Sequence, residues 1–235
     1  MSKASRSKPD IILLPGTMCD ERLWADVAPL LSPVARIHYG DLSKDGTLAD
    51  MAARVLAAAP EKFHLVGFSM GGYVAREIVL TVPSRILSLI LANTSAVGVT
   101  AEEMVKRTSM AKLLENRPFR GLTRANLERS VHPMRATDTA LLDRIQAMAL
   151  DLGGEVFARQ LSLPRDDGRE SLARIECPTL VVAAQDDRLR TLDESRTLAD
   201  GIPGARLEII EECGHMTPFE RPDVLAQLLI DWISK

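Results

Sequence analysis

Residues 62–83 read KFHLVGFSMGGYVAREIVLTVP, and the fold turns on how this stretch is parsed. Lys62 to Gly67 is short and mostly apolar, so it reads as a buried strand. It runs straight into Phe68, Ser69 and Met70. Met70 to Val82 then reads as a helix that stops at Pro83, a residue with no N–H to continue it. Gly67-Phe68-Ser69-Met70-Gly71 is a Gly-x-Ser-x-Gly pentapeptide, extended by Gly72. In a sharp strand-to-helix turn the backbone is strained, so the flanks of the serine must be small. The serine stands above a helix N-terminus, whose dipole favours a developing negative charge. That context makes Ser69 a candidate nucleophile. The plainer alternative is a Gly-rich turn with no chemistry.

On either side of this stretch, short apolar runs alternate with helical patterns, as in a largely parallel sheet covered on both faces. Strands are expected at Asp10 to Leu14, Val34 to Tyr39, Ile86 to Ala92, Pro178 to Ala184 and Ala205 to Ile210. Helices are expected at Glu21 to Leu31, after Thr47 with Asp50 as capping partner, and after Thr191 with Glu194. A final helix carries Val224, Leu225, Leu228, Leu229, Trp232 and Ile233 on one face. Between Val97 and Arg174 no run looks like a strand. Thr100 with Glu103 marks a helix start there. Leu141, Leu142, Ile145, Met148, Ala149 and Leu152 form a helical stripe expected to stop at Gly153-Gly154. The expected architecture is an α/β core over 10–96 and 175–235, with a helical lid over 97–174 inserted in it.

The chain has 235 residues, 46% of them hydrophobic, which is enough for one substantial core. A net charge of −3 and only 4% aromatic residues speak against nucleic acid or an anionic membrane as partner. Cys19, Cys177 and Cys213 form neither a disulfide framework nor a metal-ligand spacing. No Gly-rich dinucleotide fingerprint opens the first strand–helix unit, so no metal or organic cofactor is expected. Met1 to Pro9 is polar, with Lys3, Arg6 and Lys8, and no apolar stretch of signal or membrane-spanning length follows. A cytoplasmic location is expected, and nothing specifies an oligomeric state.

A serine nucleophile needs a base. His38 and His64 lie inside expected strands and read as structural. His132 lies in the insertion. His215 follows the last strand, in Glu211-Glu212-Cys213-Gly214-His215-Met216, on a loop of the kind that carries functional groups in such sheets. It is the candidate base. The acid should fall between Ser69 and His215 in chain order. Asp186 and Asp187 close the strand Thr179 to Ala184, and as neighbours they point in different directions. The residue pattern alone leaves both open.

At this point the chain resembles the α/β-hydrolase superfamily, in particular its small lid-bearing bacterial esterases and enol-lactonase-like members. The resemblance spans nearly everything after the first nine residues. In that family the acid strand usually ends Gly-x-x-Asp, often with Pro four residues later. Here Ala184 and Thr191 replace the Gly and the Pro, and the spacing assigns the acid to Asp187. The family usually has His-Gly after its first core strand. Here Pro15-Gly16 stands there, and the alignment implies that the Thr17 and Met70 N–H groups form the oxyanion hole. Members that are haloalkane dehalogenases or epoxide hydrolases have an aspartate where Ser69 stands.

Met18 and Met216 flank these groups and are candidate pocket residues, or else ordinary core. From Lys106 to Arg135 there are eight basic residues, Lys106, Arg107, Lys112, Arg117, Arg120, Arg124, Arg129 and Arg135, against Glu115 and Glu128. This excess is either a solvated surface or a source of one or two arginines for a substrate carboxylate, with His132 and Arg135 the local candidates. The expected function is hydrolysis of a small carboxylic ester, thioester or lactone, with a small acyl compound as the partner. A lyase or carbon–carbon cleaving enzyme on the same triad, and a non-catalytic binding member, are the alternatives.

Overall fold

The computed structural model describes residues 8–115 and 118–234. Lys3, Arg6, Arg117 and the side chain of Glu115 lie outside the described residues. Six strands, β1 (Asp10–Leu14), β2 (Arg36–Tyr39), β3 (Phe63–Phe68), β4 (Ile86–Ala92), β5 (Thr179–Ala184) and β6 (Arg206–Ile210), pair in parallel in the order β2-β1-β3-β4-β5-β6. The central strands bury both faces, and alternate residues serve opposite cores. On one face lie Ile11, Leu13, Val66, Phe68, Ile90 and Val182. On the other lie Ile12, Leu14, Leu65, Leu89, Leu91 and Val181. Each such buried side chain contributes roughly 1.5–3 kcal/mol.

The helices are α1 (Ala28–Leu31), α2 (Leu48–Ala58), α3 (Met70–Thr81), α4 (Ala101–Glu115), α5 (Arg124–Ser130), α6 (Thr139–Leu161), α7 (Leu192–Gly201), α8 (Thr217–Glu220) and α9 (Pro222–Ile233). Met51 and Val55 of α2, Val74 and Ile78 of α3 and Leu198 of α7 cover one face of the sheet. Leu31 of α1 and Leu225 and Leu229 of α9 cover the other. Leu127, Leu141, Ile145 and Met148, from α5 and α6, join that second core. Among the described residues no helix is long and apolar enough to cross a membrane.

Two expectations are corrected. The helix expected over Glu21 to Leu31 is two pieces, a 3-10 turn at Glu21–Trp24 capped by Asp20, and α1. Pro29, which has no N–H to offer a continuing helix, sits in the first turn of the second piece. The stripe expected to stop at Gly153-Gly154 instead continues to Leu161. Gly153 breaks the helical geometry at φ 81° and ψ 174°, and helix resumes directly after it. The glycine makes a kink rather than an end.

The order of the strands places the site. The chain leaves β1 for β2 on one side and returns for β3 on the other, so β1 and β3 flank a switch point. Ligands of open α/β sheets bind there, beyond the carboxyl ends of the strands. The register aligns those ends: Leu14 lies beside Gly67, Phe68 beside Ala92, and Ala92 beside Val182.

Candidate active site

Ser69 stands between β3 and α3 at φ 51° and ψ −113°, a left-handed conformation that non-glycine residues seldom adopt. Its neighbours hold it there. The Ser69 N–H donates to Ala92 O at 2.9 Å, and the Thr94 hydroxyl donates to Ser69 O at 2.6 Å. Gly71 has no room for a side chain: a Cβ would lie 2.6 Å from Pro15 O and 2.7 Å from Leu14 O. The glycine therefore lets α3 press against the end of β1.

His215 lies on the loop after β6. Its Nε2 is 2.9 Å from Ser69 Oγ and its Nδ1 is 2.7 Å from Asp187 Oδ2. A carboxylate can only accept, so Nδ1 carries the proton and Nε2 is free to accept from the serine hydroxyl. The His215 and Asp187 side chains are 7% and 1% exposed, and the Phe68 ring lies 5.1 Å from the imidazole. Asp187 also accepts from Leu189 N–H, Arg190 N–H and the Asn93 amide, at 2.8, 2.9 and 3.0 Å. Burial alone would raise its carboxyl. The charge and hydrogen bond of His215, with the bonds from Asn93 and Arg190, outweigh burial and hold it below the usual carboxylate range. Asp186 turns the other way, 3.4 Å from His132 Nε2.

The loop after β1 turns tightly, with Cys19 N–H donating to Gly16 O at 3.3 Å and Met18 at φ 54°. Gln160 of α6 accepts from the Met18 N–H at 2.8 Å. Thr17, the implied oxyanion residue, lines the same cavity as Ser69. Met70 opens α3, so its N–H has no intrahelical acceptor. Cys19, next to this loop, is no rival nucleophile, because burial pushes its thiol up to about 12. His38 and His64 are structural, the first bonded to Asp10 at 2.7 Å and the second to Ser88 at 2.8 Å.

A cavity of about 600 Å³ opens over Ser69 and His215. Met18 and Met216 line it. His132 and Arg135 do not, which corrects their placement in the pocket. His132 donates its backbone N–H to Glu220 Oε2 at 2.7 Å, and its Nδ1 accepts from Met134 N–H at 3.2 Å. Arg135 is held at 2.8 Å by Asp138, the cap of α6. Among the described residues of the basic stretch, only Arg107 and Arg129 reach the cavity wall, while Lys106 and Arg124 pair with Glu102 and Glu128 on the surface. Four further residues carry the site and were not singled out in the sequence: Asn93, Gln160, Arg165 and Arg190. Asn93 follows a strand end, a position worth inspecting in any such sheet. Nothing local marks the other three. A second cavity, of about 420 Å³, lies beyond Cys19 and touches none of Ser69, Asp187 and His215. Among the described residues no group of three or more His, Cys, Asp and Glu side chains is placed to hold a metal ion.

The sequence model of the alpha/beta hydrolase family matches residues 11–228. A 2-hydroxy-6-oxononadienedioate/2-hydroxy-6-oxononatrienedioate hydrolase from Escherichia coli is 25% identical, covering 96% of this chain and 87% of that protein. One from Paraburkholderia phymatum is 29% identical, covering 81% and 70%. A thermophilic esterase from Thermogutta terrifontis superposes with a TM-score of 0.86 at 24% identity, over 96% of this chain and 89% of that one. The enol-lactonase from Burkholderia xenovorans superposes with a TM-score of 0.83 at 23% identity, over 97% and 92%. At such identities the two structures speak for a shared fold.

Proposed function

The chain belongs to the α/β-hydrolase family and is an enzyme of that type, and from that premise we propose that it is a serine hydrolase of a small carboxylic ester, thioester or lactone. His215 Nε2 takes the Ser69 proton as Oγ attacks the acyl carbon. The Thr17 and Met70 N–H groups hold the oxyanion, each such donor accounting for about 2.7–4 kcal/mol. The protonated His215, steadied by Asp187, gives its proton to the departing alcohol, thiol or enol. Water, deprotonated by His215, then splits the acyl-enzyme, and Ser69 regains its proton. The helices between β4 and β5 act as a lid, since Arg107, Ile145, Phe157 and Gln160 from that segment line the cavity.

The observation that carries the reading is the unbroken hydrogen-bonded row Ser69, His215, Asp187, at 2.9 and 2.7 Å. The test is labelling with a fluorophosphonate, mapped by peptide mass spectrometry, alongside a panel of esters, thioesters and lactones. An adduct on Ser69 and turnover of at least one class are expected. Labelling that persists in Ser69→Ala would refute the reading.

A second reading is favoured by the names of the relatives. Their compound has a ketone and no ester, so its hydrolysis splits a carbon–carbon bond. The same row would serve that chemistry. Turnover of a 6-oxo-dienoic acid with no turnover of any ester would favour it.

A further inference from the structure

Among the described residues, four arginines line the cavity over Ser69: Arg107, Arg129, Arg165 and Arg190. Among the described residues the one carboxylate on the same wall is Glu103, and it is engaged in capping α4, with the Thr100 N–H and hydroxyl both 3.0 Å from its Oε2. Arg190 has Glu194 at 3.4 Å, and Arg129 donates to the Arg188 carbonyl at 3.2 Å.

Arg165 has no such relief. It is 6% exposed, and its Nε is buried with no hydrogen-bond partner among the described residues. The backbone fixes it in place, because Arg165 O accepts from Val99 N–H at 2.8 Å. The guanidinium lies 5.2 Å from the centre of the Tyr73 ring, one helical turn past Ser69 on α3, and that of Arg190 lies 5.7 Å from the same ring. Stacking on Tyr73 accounts for the position of Arg165. It does not compensate its charge, and an uncompensated buried charge is strongly unfavourable. Arg165 lines the cavity, and the planar fork of a guanidinium matches the two oxygens of a carboxylate.

We infer that Arg165, with Arg190 beside it, binds a carboxylate carried by the substrate. The inference rests on the serine-hydrolase reading of the same cavity, and it narrows the substrate to a half-ester or lactone that retains a free acid. Burial, and then the charges of Arg190 and Arg107, push the Arg165 guanidinium downward. The unreacted part of the substrate would be positioned by this pair while its carbonyl meets Ser69.

The test compares kcat/KM for 4-nitrophenyl hydrogen glutarate and 4-nitrophenyl valerate, which have acyl chains of equal length. The acidic ester should be favoured at least tenfold, and Arg165→Met should bring the ratio to one or below. Arg165→Lys, which keeps a charge but not the fork, should fall between. A ratio of one or less in the unmodified enzyme would overturn the inference, as would a ratio that neither Arg165→Met nor Arg190→Gln moves. If the Arg165 variants do not fold, the ratio in the unmodified enzyme and the Arg190→Gln comparison decide. If neither ester is turned over and Ser69 takes no label, the hydrolase reading has failed. Binding then decides the carboxylate separately: monomethyl glutarate should raise the melting temperature of the unmodified protein and dimethyl glutarate should not, and equal effects would overturn the inference.

Discussion

Asp187 has no idle oxygen: Oδ1 takes two backbone N–H groups, and Oδ2 takes His215 and Asn93. Asp187→Asn should therefore lower kcat on the order of 10⁴-fold, since an amide facing Nδ1 stabilises the wrong tautomer. Asp186→Asn should change little, as the Asp186 carboxylate faces His132 and not His215. The reverse ranking in ester hydrolysis would put the acid at 186. A pH consequence follows from the depressed carboxyl. Its stabilising contribution is complete above the unfolded value of about 4 and is lost as pH falls through the lower folded value. Urea titrations should show the stability gap between the unmodified protein and Asp187→Asn steady from pH 7 to about 5, then shrinking below about 4. Asn93 gives a subtler test. At φ 47° it occupies a left-handed position, so Asn93→Gly removes without backbone strain both the amide bond to Asp187 and the acceptor of the Thr217 hydroxyl, at 2.7 Å. Loss of one hydrogen bond to a charged group, roughly 1.5 kcal/mol, corresponds to about a tenfold fall in kcat/KM. An unaltered rate would make Asn93 a mere spacer. At this scale the sequence was only partly legible. Strand alternation said that the two aspartates diverge, but not which one met the histidine. The basic stretch said nothing about direction, and Arg135 turned to Asp138, three residues along its own chain.

The unit most legible in advance was β3–α3, expected at 62–67 and 70–82 and found at 63–68 and 70–81. Its signals are local, since strand, glycine turn and terminating proline follow one another within 22 residues. The capping box of Thr191 and Glu194 was legible for the same reason. Gly153 was not, because a glycine after a helical stripe looks the same whether the chain stops or bends, and packing decides which. The close approach of α3 to β1 gives a test at this level. In Gly71→Ala the new methyl would meet two backbone oxygens, which cannot swing aside, so the helix must move off the strand. A loss of roughly 1–3 kcal/mol is expected from overpacking. A displacement of about 1 Å between Ser69 and the loop after β1, proposed to hold the oxyanion, would lower kcat/KM by about 10². Gly46→Ala is the control, because its Cβ would meet nothing nearer than Arg159 Cγ at 4.0 Å. Thermal unfolding and ester turnover of the two variants would coincide if the contact did not matter.

Across the whole molecule, the row of Ser69, Asp187 and His215 joins three loops from separate parts of the chain. The alternation of strands and helices made it readable, because each loop follows the carboxyl end of a strand. The apolar stripe that packs the helical segment on the core was readable, but its polar tie to the loops was not, because that tie rests on one side chain in the last turn of a long helix. Gln160 is 2% exposed, and it accepts from the Met18 N–H at 2.8 Å and donates to Leu42 O at 3.1 Å. It thus ties α6 to the loops after β1 and β2, and it steadies the turn that carries Thr17. Gln160→Met keeps the length of the side chain and removes both bonds. Two buried backbone groups would be left unpaired, at roughly 1–3 kcal/mol each, and each kcal/mol lowers Tm by about 2–4 °C in a chain of this size. Gln160→Glu separates the two bonds. Its carboxylate still accepts from Met18 but faces the Leu42 carbonyl with no proton to give. Both variants should lose stability, and Gln160→Glu should keep more of kcat, because the oxyanion turn stays anchored. Burial raises the folded value of the introduced carboxyl above the unfolded one, so the stability deficit is full at neutral pH. It should shrink as pH falls, when the protonated acid can donate to Leu42 and accept from Met18 together. Equal kcat in both variants and the unmodified enzyme, with Tm lowered alike, would reduce Gln160 to a structural tie with no bearing on the oxyanion turn.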